Sequence, residues 1–188
     1  MPYEKTEIEG VHLFRPKVFV DSRGHFFESF RQDVTLEETG FDFKVAQVNN
    51  SLSAKGVLRG IHFKQNPPGQ AKFVSVISGA IIDVAIDLRK SSPTFGKWQA
   101  FELSAENRHS LFLGHGIGHA FLALEDRTQV SYLCDTVFEP TLEHGINPLS
   151  AGIQWQSYAE KHSIQSFSIS EKDELAPSFA EAQHLFFD

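Results

Sequence analysis

Five side chains in the middle of the sequence have the types that move protons: His62, Lys72, Asp83, His119 and Tyr132. All five fall in runs rich in β-branched residues. Histidine has an ordinary pKa of about 6.5 and can serve as base, metal ligand or core residue with a satisfied ring. His115 and His119 are spaced i, i+4 in "GHGIGHAF", and His62 lies far away in "RGIHF". A metal site of the barrel type wants several nitrogens and often a carboxylate. Phe63 and Lys64 follow His62, so a second ligand two residues on is missing, and a protonated Lys72 would compete with a cation. Metal binding is therefore disfavoured; base and buried core histidine both stay open.

Strand alternation puts Lys72 on the face of Val74 and Val76, and Tyr132 on the face of Val130 and Cys134. If that face points inward, two polar tips enter an apolar interior, and a buried lysine is costly unless paired. If it points outward, Lys72 is merely solvated. With only three tyrosines in the chain, Tyr132 carries extra weight. Arg23 and Arg59 each stand beside a glycine, so guanidinium and backbone could approach a diphosphate closely. Phe26 and Phe27 could stack on a base, although a turn with a solvated arginine explains Arg23 equally well.

The elements that must position these groups read as strands. "KFVSVI" and "AIIDVAIDL" flank Ser78-Gly79 and predict a hairpin. "HAFLAL" and "QVSYLCDT" flank Glu125-Asp126-Arg127 and predict a second one. Further short runs are "GVHLFRPKVFVD", "FKVAQVNNSL", "WQAFELS" and "HSLFLG". Helix signals are confined to "TLEETG" and the C-terminal "SFAEAQHLF". The pattern predicts an all-β jelly roll with short peripheral helices, which leaves few exposed strand edges.

The 188 residues suit one domain, 1–188, with decorated ends. A net charge of -7 argues against a nucleic-acid partner but leaves room for a local cationic pocket. The single cysteine, Cys134, excludes an internal disulfide framework and a cysteine zinc site. Neither a signal peptide nor a membrane span is expected, and a cytoplasmic location is the default.

"DSRGHFFESFR", the long run from "QVNNSLSAKGVLRGIHF" to "SSPTFGKW", "LSAENRHSLFLGHGIGHAF" and "VSYLCDTVFEP" together resemble the dTDP-4-dehydrorhamnose 3,5-epimerase family. Its members are cupins that act on nucleotide-linked 4-keto sugars without a cofactor or metal. The resemblance implies that His62 is the base, Asp173 of "SISEKDELAP" its partner, Lys72 the enolate-stabilising cation and Tyr132 the proton donor. It implies pocket-floor roles for Asp83 and His119, diphosphate contacts for Arg59, Arg23 and Gln47, and a nucleotide site lined by Phe26 and Glu28. It also implies a homodimer, with the arm carrying Arg23 reaching the neighbouring subunit's site.

The chemistry fits such a set. A C–H beside a ketone is acidic because the charge moves to oxygen as an enolate, so inversion needs a base on one face, a cation near the oxygen and an acid on the other face. Three departures stand out. Phe138 replaces the family's usual second tyrosine, which places it among the sugar-contacting positions. "EHGINPLSAGIQW" lacks the acidic residue of the family's corresponding segment, and Gly114 replaces a proline. The sequence thus predicts epimerisation of a 4-keto-6-deoxyhexose nucleotide at C3 and C5. Behind it stand a C3-only epimerase, a 3,4-ketoisomerase, a non-catalytic sugar-nucleotide-binding cupin and, last, a metal-dependent cupin dioxygenase.

Overall fold

The computed structural model describes residues 2–65 and 67–188. In chain order the strands are β1 (Tyr3–Lys5), β2 (Val11–Phe14), β3 (Phe19–Asp21), β4 (Gly24–Phe26), β5 (Gln47–Ser53), β6 (Leu58–Lys64) and β7 (Lys72–Ser78). They continue as β8 (Ala80–Asp87), β9 (Trp98–Ser104), β10 (Ser110–Leu113), β11 (Ile117–Ala123), β12 (Thr128–Cys134) and β13 (Glu143–Gly145). One sheet has the order β1-β2-β10-β7-β12-β5 and the other β13-β6-β11-β8-β9. β3 and β4 form a separate ribbon. The two sheets pack face to face as a cupin-type jelly roll, matching the expected all-β class.

The two predicted hairpins are not hairpins. β7 belongs to the larger sheet and pairs with β10 and β12, whereas β8 belongs to the smaller and pairs with β9 and β11. β11 and β12 divide in the same way. The two crossings lie side by side: Leu124 N donates to Ala80 O at 2.9 Å, and a Cβ on Gly79 (φ 76°) would collide with Thr128. A Ser-Gly pair serves a tight corner between sheets as well as a turn within one, because both need a positive φ. One long antiparallel pair, β7–β8 against β12–β11, is thus folded over itself, and its inner surface becomes the interior of the sandwich.

The near-continuous apolar run of β8 follows from burial on both faces. Ile81 and Ala85 pack inward with Val74, Val76, Leu111 and Val130. Ile82, Val84 and Ile86 pack outward against a C-terminal layer containing Trp155, Ala159, Ala182 and Phe186. Burying such side chains contributes roughly 1.5–3 kcal/mol each, so the layer is integral to the fold.

The helix predicted at "TLEETG" is α1 (Gln32–Thr39), closed by Gly40 at φ 75°. The C-terminal "SFAEAQHLF" forms only a 3-10 turn, Glu181–Leu185. Two short helices were not expected, α2 (Trp155–Lys161) and α3 (Glu171–Glu174). "GVHLFRPKVFVD" is split at Arg15-Pro16-Lys17 into β2 and β3, since proline cannot donate to a ladder. No helix among the described residues is long and apolar enough to cross a membrane.

Candidate active site

A cavity of ≈ 320 Å³ opens between the sheets and is lined by His62, Arg59, Lys72, His119, Tyr132, Gln47 and Phe138, among others. β6 reaches it through a bulge against β11, where a Cβ on Gly60 would lie 2.6 Å from the Ala120 Cα. The glycine of "RGIHF" therefore permits a close backbone approach, and His62 ends up opposite His119 in the ladder.

Asp173 meets His62 from the far end of the chain. Ser170 caps α3 by accepting from the Asp173 N–H. This short turn aims the buried carboxylate at β6, with Oδ1 2.7 Å from His62 Nε2 and Oδ2 accepting from Gly60 N at 3.4 Å. Burial alone would raise this carboxyl, but the hydrogen bond and charge of His62, with the Gly60 and Ser170 donors, outweigh it and hold it below the usual carboxylate range.

Tyr132 faces the cavity from β12, in the other sheet. Its hydroxyl lies 2.8 Å from Ser51 Oγ, and its ring centroid 5.9 Å from that of His119. Burial, aided by the Asp83 charge and opposed by the Ser51 bond, pushes its pKa up to about 12, so the phenol keeps its proton. Lys72 stands in register with Cys134 and shares the inward face of Val74 and Val76. The outward, solvated reading of Lys72 is thereby overturned. Desolvation lowers its pKa, against the opposing pull of Cys134, Glu143, Asp83 and Asp135.

Asp83 points inward between Ile81 and Ala85, but among the described residues its partner is His119, at 2.5 Å, and not Lys72. His115 pairs with Asp135 at 2.6 Å. Each of the three histidines thus has its own carboxylate, and no group of three or more His, Cys, Asp or Glu among the described residues could hold a metal ion.

Arg59 donates to Ser53 Oγ at 3.2 Å and Leu52 O at 3.3 Å. Gln47 accepts from Phe138 N at 2.7 Å, placing the Phe138 ring at the cavity mouth. Arg23, Phe26 and Glu28 lie elsewhere. The Arg23 side chain, 88% exposed, is held by Asp21 at the tip of the β3–β4 ribbon, Phe26 is exposed beside it, and Glu28 sits 3.7 Å from Arg31. None of the three lines the cavity of its own chain. Sequence reasoning missed Asn49, Ser51, Gln70, Glu143, His144 and Lys172, which do. Asn49 and Ser51 share the face of Gln47 on β5, a signal that becomes readable once the β5–β12 pairing is known.

A histidine on one sheet paired with a carboxylate from α3, and a protonated phenol with an amine on the other sheet, around one cavity of a jelly roll, define a cupin-type isomerase. The model of the dTDP-4-dehydrorhamnose 3,5-epimerase family matches residues 5–181, and the chain belongs to that family. It is 44% identical over 183 residues to the dTDP-4-dehydrorhamnose 3,5-epimerase of Mycolicibacterium smegmatis, covering 97% of this chain and 88% of that protein. The solved RmlC epimerase of Mycobacterium tuberculosis superposes with a TM-score of 0.94 at 37% identity, covering 100% of this chain and 94% of the other. A 3'-monoepimerase from Streptomyces bikiniensis in complex with dTDP-quinovose gives 0.87 at 41% identity, covering 96% and 89%.

Proposed function

We propose that the protein epimerises a dTDP-linked 4-keto-6-deoxyhexose at C3 and C5, converting dTDP-4-dehydro-6-deoxy-D-glucose to dTDP-4-dehydro-L-rhamnose through an enolate. The observation that carries this reading is the placement of His62 and Tyr132 on opposite sheets, facing one cavity. His62 removes the proton beside the ketone and Asp173 holds the ring and balances the imidazolium. Lys72 stabilises the charge gathering on O4. Tyr132 returns a proton to the opposite face, and both groups then exchange protons with solvent, leaving the enzyme as it began.

The diphosphate is read as bound by Arg59, with Lys172 also facing the cavity. Asp83 and His119 support the pocket floor, and Gln47 and Phe138 border the sugar. The exposed ribbon is read as an arm that brings Arg23, Phe26 and Glu28 to the cavity of a second copy, giving a homodimer. Exposed Val48 and Leu52 on β5 and Ile77 on β7 support that reading. A nucleotide-sugar substrate fits a cytoplasmic enzyme.

A second reading, inversion at C3 alone, is favoured by Phe138, which puts no hydroxyl at the cavity mouth. NMR of dTDP-4-dehydro-6-deoxyglucose incubated with the protein in D2O separates the two. Deuterium at both C3 and C5 is expected; deuterium at C3 only establishes the second reading, and none at either carbon overturns both.

A further inference from the structure

The mouth of the cavity carries a device that the catalytic set does not use. Residues 135–139 leave β12 without regular secondary structure, and Val137 and Phe138 are exposed. Yet the stretch is tied down almost residue by residue. Asp135 Oδ1 accepts from Ala71 N at 2.8 Å, Thr136 O from Gln70 Nε2 at 3.0 Å, and Phe138 N donates to Gln47 Oε1 at 2.7 Å. Those anchors come from β5 and the approach to β7. His115 holds the other Asp135 oxygen at 2.6 Å, and a further anchor comes from the other sheet: Lys64 Nζ donates to Val137 O at 2.8 Å and to Glu139 Oε1 at 2.6 Å.

Lys64 is only 2% exposed, and a buried ammonium persists only where its charge and donors are met. Here both acceptors lie on the lip of the cavity. Lys64 also sits two residues from His62 on β6, so the two share a face of one strand.

We propose that Lys64 is a positioning residue that pins Val137 and Glu139 and thereby fixes the Phe138 ring relative to His62. It sets how firmly the mouth holds the sugar nucleotide without touching the reacting carbons. The inference rests on the function proposed above for the same cavity. A residue acting this way changes binding more than turnover, and its effect runs through Phe138.

The test is a double-mutant cycle with Lys64→Met and Phe138→Ala, measuring kcat and KM for dTDP-4-dehydro-6-deoxyglucose and the affinity for dTDP. Lys64→Met is expected to raise KM about tenfold while kcat stays within about threefold. Adding Phe138→Ala to that variant should then raise KM by less than about twofold, because the lip is already released. A KM within about twofold of wild type, or effects of the two changes that multiply, overturns the proposal. If Lys64→Met does not fold, Glu139→Ala at the half-exposed partner decides: a rise of about threefold supports the role and an unchanged KM overturns it. A wild-type protein without turnover refutes the functional reading alone, and dTDP affinity across the same cycle then decides the role of Lys64 by the same thresholds.

Discussion

The cavity and the β3–β4 ribbon are built to opposite rules. Around the cavity His62, His119 and Tyr132 are each held by a partner from a distant part of the chain: His62 by Asp173, His119 by Asp83, Tyr132 by Ser51. On the ribbon Arg23 bonds only two residues away, to Asp21, and Phe19, Val20 and Phe26 face solvent. A preorganised site loses little to reorganisation during reaction, whereas an exposed arm with apolar and cationic tips is a surface awaiting something to cover it. On the proposed reading the chemistry is assembled within one chain, and part of the binding surface comes from a second copy.

The strongest way to break that contrast is to remove the cavity's own groups. His62→Ala is expected to lower kcat by about 10²–10⁴, the usual contribution of a general base, with the fold intact by circular dichroism. Asp173→Asn keeps the shape but can present a donor to the imidazole, and a loss of about 10² or more is expected. Either variant retaining near wild-type turnover would remove the pair from the mechanism. The Asp173 carboxyl lies below its ordinary range in the fold. Its contribution to stability is therefore full above the unfolded carboxylate pKa and is lost as the pH falls through the folded value. Acid melts of wild type and Asp173→Asn should converge in that window.

Lys72 sharpens the picture through pH. Its amine is lowered by desolvation, whereas Tyr132 stays protonated up to about pH 12. The alkaline fall in kcat/KM should therefore follow Lys72 and begin below the ordinary lysine value. Lys72→Arg keeps the charge at higher pH, so whatever activity it retains should lose that limb. An unchanged limb would assign the titration to another group.

The ribbon side of the comparison is tested by mixing chains. Arg23→Ala alone should raise KM by about tenfold and leave kcat nearly unchanged, since it removes binding and no chemistry. Co-refolding Arg23→Ala with His62→Ala creates hybrids in which one cavity has both an intact base and an intact arm from its neighbour. Wild-type affinity in a fraction of the sites is expected. Hybrids showing only the Arg23→Ala affinity would confine Arg23 to its own chain.

Legibility in the sequence divides along similar lines. Period-2 alternation put Lys72 and Tyr132 on defined faces, and burial of Val74, Val76, Val130 and Cys134 turns those faces inward. Alternation could not choose the inward side, because that depends on what the opposite sheet supplies. The two corners at Gly79 and Arg127 were read as hairpins because local turn chemistry is blind to which sheet the next strand joins. Asp173 came only from the family resemblance: 111 residues separate it from His62, and α3 is too short to show periodicity. Ser51, Asn49 and Glu143 belong to the cavity through strand register alone, which no local pattern records.

Phe138 lies on a lip tied to the cavity walls but open to solvent, and its conservative change to tyrosine is expected to have the smallest effect. Phe138→Tyr adds one hydroxyl at the mouth and leaves unchanged the groups proposed to make and break the C–H bonds. Proton abstraction should change little, so deuterium entry at C3 should stay within about twofold of wild type. A hydroxyl there can instead hold the sugar through a hydrogen bond of about 0.5–1.5 kcal/mol, enough to alter how long the C3-inverted intermediate stays bound. The ratio of C5 to C3 exchange is the sensitive readout, and it should rise by a few-fold at most. If the ratio is unmoved while KM falls, Phe138 governs entry of the substrate and not the second inversion. If C3 exchange itself changes by more than about tenfold, the lip reaches the reacting carbons and the division between cavity and periphery has to be redrawn.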